Sequence, residues 1–312
     1  MAKISCDPEV FVGKVPKNFL NVSLNVDYKV KTANRIYSKC LPVFKEEPIP
    51  ICGLIGGTKE EPILIPGAKD GYLMQEDGTA LEFNVPPVNN GMVFAQNVQY
   101  ALTKLHTFLF KLNLVILPTS TAVFSKQILE SYPQAMRLGC SPDYDAYKVA
   151  PRKSFQIDNL EEFRFAGGHI HMSFTNKEKM PNEFIIRLMD IYLGLPTLGI
   201  DKQGIRRKFY GQAGLFRPTK YPDATTGVEY RTLSNFWIFD RELAPWIGTT
   251  VLRILNIVET NPFLFLDLLK CGFWSEVPDI IREEDYGEGK KIIDSINNTR
   301  QLPWYPEMWG VL

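Results

Sequence analysis

Short strand-like segments dominate the pattern of this sequence, and they occur in clusters rather than in regular alternation with helices. Gly, Pro, Asp and Asn separate the clearest of them, which run over residues 4–12, 50–55, 62–65, 79–85, 168–174 and 228–233. Clustered strands are typical of α+β folds, in which helices cover one side of a mainly antiparallel sheet. The G-x-G-x-x-G and G-x-x-x-x-G-K-[ST] patterns of many phosphate-binding α/β proteins do not occur. We therefore predict an α+β fold with a mainly antiparallel sheet.

Longer segments have the spacing of amphipathic helices. After Asn90, a suitable capping residue, apolar side chains recur every three or four positions as far as Leu112. The same criterion predicts helices over about residues 182–194, 242–258, 262–270 and 289–297. No linker or repeat divides the 312 residues. We expect one domain over 1–312, with a motif-bearing core at about 4–240 and a helical part at about 241–312.

Composition and charge exclude several classes of protein. Acidic and basic side chains balance at 35 each, so the chain lacks the net positive charge with which most duplex-binding proteins approach phosphates. Its most apolar stretches are too short, or too interrupted by charge, to span a membrane. We expect no secretory signal at the start of the chain, because it has no apolar stretch between a basic start and a small-residue cleavage site. Five scattered cysteines without a C-x-x-C pair argue against a disulfide framework. We expect a cytoplasmic protein without a membrane or nucleic-acid partner.

Four strand-like segments each carry two polar residues that are two positions apart. Because side chains alternate along a strand, each pair lies on one face, and the apolar residue between its members faces the other way. The pairs are Asp7 and Glu9, Glu82 and Asn84, His169 and His171, and Glu229 and Arg231. Any one pair could be an ordinary solvent-facing pair of an amphipathic strand. Together they predict a sheet with an apolar back and a front lined by carboxylates and imidazoles.

Clustered carboxylates repel one another unless a cation neutralises them. Oxygen-rich sites suit Mg²⁺ or Mn²⁺, whereas a site with two histidines and one carboxylate is also typical of catalytic Zn²⁺. The residue types alone do not determine which metal ion binds. Carboxylates in excess of three ligands, and nearby arginines, favour a site that binds several metal ions and phosphate. Arg217 and Arg231 are the best candidates for bidentate phosphate contacts in the basic stretch that begins at Arg206.

Seven segments occur in an order that resembles a known family. They read DPEVFV, GLIGGTK, DG with ALEFNVPP, GCSPDYDAY, AGGHIHM, YGQAGLFR and EYRTLSNFW. The chain resembles, from about Asp7 to Trp237, the phage carboxylate-amine ligase type 2 family, a branch of the glutamine synthetase-like amidoligases. The resemblance implies a curved, mainly antiparallel sheet with helices on its apolar face. It also implies ATP and Mg²⁺ as cofactors, with Mn²⁺ as an alternative, and formation of an amide or peptide bond through an acyl phosphate.

The expected site residues follow from the front face and from the resemblance. They are, for metal binding, Asp7, Glu9, Glu82, His169 and Glu229; for catalysis, Glu82, Arg217 and Arg231; for the nucleotide, Lys59, His169, His171 and Arg207; and for the substrates, Asn84, Asp143 and Tyr210. Asp143 and Asp145 are candidates for an amine-binding wall, and equally for capping residues of a turn. The Gly56–Lys59 turn either offers backbone N–H groups to an anion or is a simple hairpin turn.

Other functions remain open at this level. A metal-dependent hydrolase or phosphoesterase could use the same acidic face without ATP, and nucleotide dependence separates the two. The carboxylate and amine substrates are small molecules or peptides, and the family context leaves amino acids, cell-wall peptides and a modified nucleotide open. Monomeric and homo-oligomeric states are both compatible with the resemblance.

Overall fold

The computed structural model describes most of the chain in detail. The described residues are 1–15, 47–136, 143–151, 162–175, 180–201, 204–220, 226–265, 268 and 271–298, together with the backbone of 28–32 and 35–39. Part of the predicted helix at 262–270 and the last residues of the predicted C-terminal helical part lie outside these ranges. Each helix within the described ranges is too short or too polar to cross a lipid bilayer.

The strands are short and are distributed along most of the described chain. They are β1 Lys3–Cys6, β2 Glu9–Lys14, β3 Tyr28–Thr32, β4 Arg35–Lys39, β5 Pro48–Ile49, β6 Ile63–Leu64, β7 Leu73–Asp77, β8 Ala80–Asn84, β9 Leu114–Leu117, β10 Thr121–Val123, β11 Tyr144–Asp145, β12 Ala150–Pro151, β13 Phe163–Phe165, β14 Ile170–Phe174, β15 Leu215–Lys220 and β16 Thr226–Tyr230. The predicted strand over 4–12 is interrupted at Asp7 and Pro8, where proline has no N–H to donate.

The helices lie mainly between and after the strands. They are α1 Gly91–Lys111, α2 Lys126–Glu130, α3 Asn182–Met189, α4 Leu195–Thr197, α5 Gly204–Phe209, α6 Leu243–Thr260, α7 Val277–Glu283 and α8 Tyr286–Asn298. A π-helical turn, Asp190–Gly194, joins α3 to α4. Short 3₁₀ turns occur at Pro133–Met136, Asn235–Phe239, Pro262–Phe265 and Gly272–Ser275. The helices predicted at 182–194, 242–258 and 289–297 are therefore present, with shifted ends.

Two antiparallel sheets meet along the segment that contains β1 and β2. One sheet has the order β1-β14-β16-β15-β11-β12, and the other has the order β5-β2-β8-β7-β6, with β9 also paired to β2. The free side of β1 faces the segment that follows β8, because Ile4 and Val88 exchange backbone hydrogen bonds of 2.8 and 2.9 Å. All strand pairs in the described residues are antiparallel. The predicted α+β class with a mainly antiparallel sheet is confirmed.

The back of the sheets is covered by helices, as the alternating pattern predicts. Phe83, Ile170, Met172 and Tyr230 are fully buried and belong to the same apolar core as the inner faces of α1, α3 and α6. Asn90 caps α1 by accepting hydrogen bonds from Met92 N and Val93 N at 2.9 and 3.1 Å. The core thus holds one side of the strands rigid and leaves the polar pairs on the other side.

The predicted strand over 50–55 is wrong, because β5 ends at Ile49, before this segment begins. Residues 52–54 form a turn instead and Ile55 a bend, and the carboxylate of Glu76 accepts hydrogen bonds from Gly53 N, Ile55 N and Gly56 N at 2.8, 3.0 and 3.2 Å. A carboxylate distant in sequence satisfies these donors better than a neighbouring strand would. The backbone N–H groups in this part of the loop already bind an anion that belongs to the chain.

His106 on α1 is expected to destabilise the fold at acid pH. Its side chain is 9% exposed, its two ring nitrogens have no hydrogen-bond partner, and burial lowers its pKa. Below about pH 6.5 the unfolded chain therefore binds more protons than the folded chain at this position, and stability falls. We expect His106→Leu to lose less stability than wild type between pH 7.5 and pH 5.5 in urea denaturation. Equal losses in the two proteins would contradict this assignment.

Candidate active site

The polar pairs line two rows of side chains across the front of the sheets. In the first row, Ser5 of β1, His171 of β14, Glu229 of β16 and Arg217 of β15 are successive cross-strand neighbours. In the second row, Glu9 of β2 pairs with Glu82 of β8, which pairs with Gln75 of β7. Asp7, at the break between β1 and β2, lies where the rows meet. The topology therefore brings together residues that are distant in sequence.

Asp7, His171 and Glu229 form the first group of possible metal ligands, with donor atoms within 4.8 Å of one another. His171 Nε2 lies 2.8 Å from Asp7 Oδ2, although the geometry is not that of a hydrogen bond. Burial lowers the pKa of His171, but the carboxylates of Asp7 and Glu229 outweigh this effect and raise it to about 9. The imidazole thus lies in a strongly negative environment.

Glu9, Asp77 and Glu82 form a second group with the same close spacing. Burial raises the pKa of Glu9 to about 8, and the charge of Asp77 adds to this effect. Burial also raises the pKa of Glu82 well above its ordinary value, and the neighbouring carboxylates add to it. Gln75 Nε2 donates to Glu82 Oε1 at 2.5 Å. Gly167 N donates to Glu9 Oε2 at 2.6 Å. These neutral donors do not cancel the charge of three adjacent carboxylates, so this group is suited to a cation.

His169 lies between the two groups. Its Nδ1 is 3.6 Å from Asp7 Oδ1, 4.0 Å from Glu9 Oε1 and 3.4 Å from Glu229 Oε1. Burial, and then the nearby guanidinium of Arg231, keep the pKa of His169 well below its ordinary value. The ring is therefore neutral, and it is a potential ligand rather than a counter-charge for the carboxylates.

Two guanidinium groups border the first row. Arg231 Nη1 contacts Glu229 Oε1 and lies 3.3 Å from His169 Nδ1. Arg217 Nε donates to Asp143 Oδ1 at 3.1 Å, and Arg231 Nε lies 3.3 Å from the same oxygen. Arg231 is buried and Arg217 is partly exposed. The predicted phosphate-contacting pair therefore converges beside the carboxylates.

The two candidate aspartates of the amine-binding wall have different environments. Asp143 reaches the arginines of the front face, whereas Asp145 Oδ1 accepts hydrogen bonds from Tyr147 N and Lys148 N at 2.9 and 3.1 Å. The turn-capping interpretation is therefore correct for Asp145. Asp143 lies in the site.

The remaining predicted residues are distributed around this centre. Tyr210 Oη lies 2.8 Å from His169 Nε2 and 3.3 Å from Glu9 Oε1. Asn84 lies two positions beyond Glu82 on β8, half-buried on the same face. Lys59 is exposed, and its charge partly opposes the raised pKa of Glu82. It therefore lies at the rim of the second group.

Arg207 was predicted to bind the nucleotide, and the structure contradicts this. Its side chain is fully buried, with Nη2 2.9 Å from Asp201 Oδ2 and Nε 3.3 Å from Glu284 Oε1. Asp201 also accepts a 2.6 Å hydrogen bond from Ser234 Oγ. Arg207 has acidic partners of its own, the buried Asp201 and the half-buried Glu284, so it holds α5 against the end of α7.

Sequence reasoning did not identify Asp77 as a site residue. It precedes Gly78 in the tight turn between β7 and β8, and Asp-Gly is a common hairpin signal that accounts for an aspartate without any further role. Its position in the sequence could have indicated a role in the site. Asp77 lies five residues before Glu82, and a two-residue turn separates the two strands. That arrangement brings both carboxylates to the same end of the hairpin.

The donor atoms of the front face fit divalent cations. Asp7 Oδ1 is buried and accepts no hydrogen bond, and the described groups consist of carboxylates with one histidine. An unpaired buried carboxylate oxygen is costly unless a cation neutralises it. Oxygen-rich donor sets suit Mg²⁺ or Mn²⁺. The residues present are therefore compatible with the predicted metal.

Comparison with known proteins points to one family. Residues 158–264 match the model of the family described as phage phiEco32-like COOH.NH2 ligase-type 2. The matched segment, about a third of the chain, contains β14, β15 and β16, and it includes His169, His171, Arg217, Glu229 and Arg231. The match confirms the resemblance predicted from the motifs, and it supports a carboxylate-amine ligase.

Comparisons over the whole chain are less informative. No curated protein matches the chain at a significant level. The crystal structure of the complex between the prokaryotic ubiquitin-like protein Pup and its ligase PafA aligns with 97% of this chain and 70% of its own, at 10% identity and a TM-score of 0.29. A TM-score of this size does not define a shared fold.

Proposed function

We propose that this chain is an ATP- and Mg²⁺-dependent carboxylate-amine ligase, which forms an amide or peptide bond through an acyl phosphate. The observation that carries the proposal is the convergence of two carboxylate groups, a neutral histidine and two guanidiniums on one sheet face. This combination suits phosphoryl transfer, in which positioning and charge stabilisation supply most of the catalysis. The family match supports the ligase class.

The residues of the first row are assigned to phosphoryl transfer. Arg217 and Arg231 would bind the oxygens of the transferred phosphoryl group, since guanidinium groups bind such oxygens in bidentate fashion. The substrate carboxylate then attacks the γ-phosphorus, the bond to the bridging oxygen breaks, and ADP leaves. Lys59, at the rim, and His171 are assigned to the nucleotide. Asn84 and Tyr210 are assigned to the substrates.

The carboxylate groups are assigned to metal binding. Asp7, Glu9, Glu82, His169 and Glu229 would hold Mg²⁺, and the geometry adds Asp77 and His171 to this set. When bound, divalent cations neutralise phosphate charge and align the nucleotide. Without them the carboxylates repel one another, which is why we expect metal to stabilise the folded chain. Residues 1–312 would form a single catalytic domain.

Asp143 is assigned to the amine. After phosphoryl transfer the amine nitrogen attacks the acyl carbon, phosphate leaves, and the nitrogen loses a proton. A carboxylate at the edge of the site both attracts an ammonium group and orients the free amine for attack. Asp143 Oδ1 lies close to both arginines, at 3.1 Å from Arg217 Nε and 3.3 Å from Arg231 Nε.

The proposal is tested by supplying hydroxylamine as the amine. Purified protein is incubated with ATP, Mg²⁺ and a panel of amino acids and short peptides, and hydroxamate and phosphate are measured together. Hydroxamate that requires ATP establishes carboxylate activation and identifies the acid. Metal-dependent cleavage without ATP would instead support the hydrolase. The absence of both nucleotide binding and any metal-dependent cleavage would contradict both enzymes.

Asp143→Asn is expected to raise the KM for the amine by about tenfold or more, since hydrogen bonds to charged groups contribute roughly 1.5–3 kcal/mol. The KM for ATP should change little, because asparagine keeps an oxygen that can accept from Arg217. Asp145→Asn is the matched control, since Asp145 caps a turn. It should leave both KM values unchanged. Equal effects of the two substitutions would contradict an amine-binding role for Asp143.

A further inference from the structure

Arg206 lies next to the front face, and its side chain is fully buried. Its guanidinium donates to the backbone carbonyl oxygens of Ala166, Thr232 and Leu233 at 3.0, 3.3 and 3.0 Å. Ala166 precedes the segment that leads to His169, and Thr232 directly follows Arg231. The buried guanidinium of Arg206 therefore holds together two segments that carry residues of the site. It is not part of a solvated basic loop.

The same guanidinium supports the ring of Tyr210. The central carbon of Arg206 lies 5.0 Å from the ring centroid, a distance typical of a cation–π contact. Gly211 follows Tyr210 with a φ of +66°, and a Cβ atom there would lie 2.3 Å from Arg206 Nη1. Glycine is therefore needed at position 211, both for its positive φ and for the space that the guanidinium occupies. Arg206 and Tyr210 form a packed unit beneath the site.

The hydroxyl of Tyr210 connects this unit to His169. The guanidinium of Arg231 can only donate hydrogen bonds, and its Nη1 lies 3.3 Å from His169 Nδ1. His169 Nδ1 must therefore be the acceptor, so the ring proton is on Nε2, which donates to Tyr210 Oη at 2.8 Å. Tyr210 then donates to Glu9 Oε1 at 3.3 Å and accepts from Arg231 Nη2 at 3.1 Å.

This arrangement fixes which nitrogen of His169 faces the carboxylates. The unprotonated Nδ1 is the atom that lies within 4.0 Å of Asp7, Glu9 and Glu229. If Nδ1 carried the proton instead, its lone pair would no longer be available to a cation held by those carboxylates. The tautomer is set by the partner of the other nitrogen, which here is Tyr210.

We propose that Arg206 is a positioning residue, which holds Tyr210 and the ends of two strands so that His169 presents an unprotonated Nδ1 to the carboxylates of the front face. Arg206 contacts neither substrate nor metal in this role. The inference about its importance for turnover rests on the proposed ligase function. The inference about the tautomer of His169 does not.

The tautomer is tested by NMR of protein labelled with ¹⁵N-histidine, without metal or nucleotide. The chain has three histidines, so three pairs of ring signals are expected. In wild type, His169 should show a protonated Nε2 and an unprotonated Nδ1. In Arg206→Met these signals should shift towards a mixture of tautomers, whereas Arg206→Lys should be intermediate. An Nδ1-protonated ring in wild type, or an unchanged ring in Arg206→Met, would overturn the proposal.

Arg164→Met is the matched control for the loss of a buried guanidinium. Arg164 also donates to backbone carbonyls, those of Ala135 and Phe163, and it is 7% exposed. Its removal should lower thermal stability as Arg206→Met does, but leave the ring signals of His169 as in wild type. Equal changes in both variants would mean that Arg206 has only a general structural role.

Tyr210→Phe separates positioning from folding, because it keeps the packed ring and removes only the hydroxyl. We expect it to reproduce the tautomer change of Arg206→Met with little loss of stability. Unchanged ring signals of His169 in this variant would also overturn the proposal, whether or not Arg206→Met folds.

Kinetics then connect the tautomer to turnover. For hydroxamate formation, Arg206→Met should lower kcat by about 10- to 100-fold, the usual effect of losing a group that orients a ligand, with a smaller change in the KM for ATP. Arg206→Lys should recover part of kcat. An active wild type with unaffected Arg206 variants would contradict positioning. If Arg206→Met changed the tautomer of His169 but the wild type had no ligase activity, the positioning role of Arg206 would stand and the proposed ligase function would be contradicted.

Discussion

Glu82→Gln is expected to lower kcat for hydroxamate formation by about 10²- to 10³-fold, or about 3 to 4 kcal/mol. Glu82 lies between Glu9 and Asp77, and the substitution removes one negative charge from a group that we assign to metal binding. The new amide keeps an oxygen that can accept from Gln75, so that the local geometry survives. The lower kcat should therefore result from the missing negative charge and not from a change in local structure.

The stability of Glu82→Gln distinguishes this effect from unfolding. In a buffer with chelator the variant should melt at or above the temperature of wild type, because one of three repelling carboxylates is gone. Added Mg²⁺ should raise the melting temperature of wild type more than that of the variant. Near-normal turnover in this variant would mean that this face of the sheets is not the active site.

Glu76→Gln is a matched control in the adjacent strand. Its carboxylate binds backbone N–H groups of residues 53, 55 and 56 rather than a cation. Losing a charged acceptor costs roughly 1.5–3 kcal/mol of stability. We expect lower stability and a kcat close to that of wild type, the opposite of the result for Glu82→Gln.

Alanine substitutions at the adjacent Gly167 and Gly168 are expected to affect different properties, activity at Gly167 and stability at Gly168. At Gly167 a Cβ atom would lie 2.1 Å from His169 Nε2, so the imidazole would have to leave its present position. Gly167→Ala should lower kcat by about 100-fold, since misplacing a group by about 1 Å can cost that much. A side chain can move without unfolding the chain, so the melting temperature should change little.

At Gly168 the obstacles are fixed. A Cβ atom would lie 2.2 Å from the carbonyl oxygen of Ser234 and 2.4 Å from the indole nitrogen of Trp237, which is fully buried. The 3.2 Å hydrogen bond from Trp237 Nε1 to Gly168 O would also be disturbed. Gly168→Ala should therefore destabilise the protein by about 3 kcal/mol, as overpacking of a dense core commonly does.

Both glycine substitutions are compared by thermal melting and by hydroxamate formation. Gly272→Ala is the control, because a Cβ atom there meets no atom within 4 Å. It should change neither property. If Gly167→Ala retained full activity, His169 would not require its present position. If Gly168→Ala were as stable as wild type, the close packing against Trp237 would be in error.

Features set by local periodicity were predictable from the sequence. Helix α1 combines a capping Asn90 with regular apolar spacing, and both are visible without knowledge of the fold. The paired polar residues of the strands were identified in the same way, since alternation alone places them on one face. The sheet order was not predictable, because nothing local indicates that β2 pairs with β8 and β9.

Features set by distant partners were missed. The segment over 50–55 has the composition of a strand, yet Glu76 binds its N–H groups, and that partner comes from a different part of the chain. Arg206 and Arg207 are adjacent charged residues that suggest exposure, and both are buried by partners far away in sequence. Charge shows that a partner is needed. It does not show whether that partner is a ligand or the protein itself.

The position of residues 3–14 has a consequence for the order of folding. This segment is the seam between the sheets, and it pairs with residues that lie near 80–88, 114–117 and 170–174. Loop closure over such distances costs entropy before any contact is gained, so folding that depends on it is slow. During synthesis, more than half of the chain must be made before β14, the last strand that pairs with this segment, is available. We therefore expect nascent chains that end before β14 to expose an unpaired strand edge, and to be a binding target for chaperones.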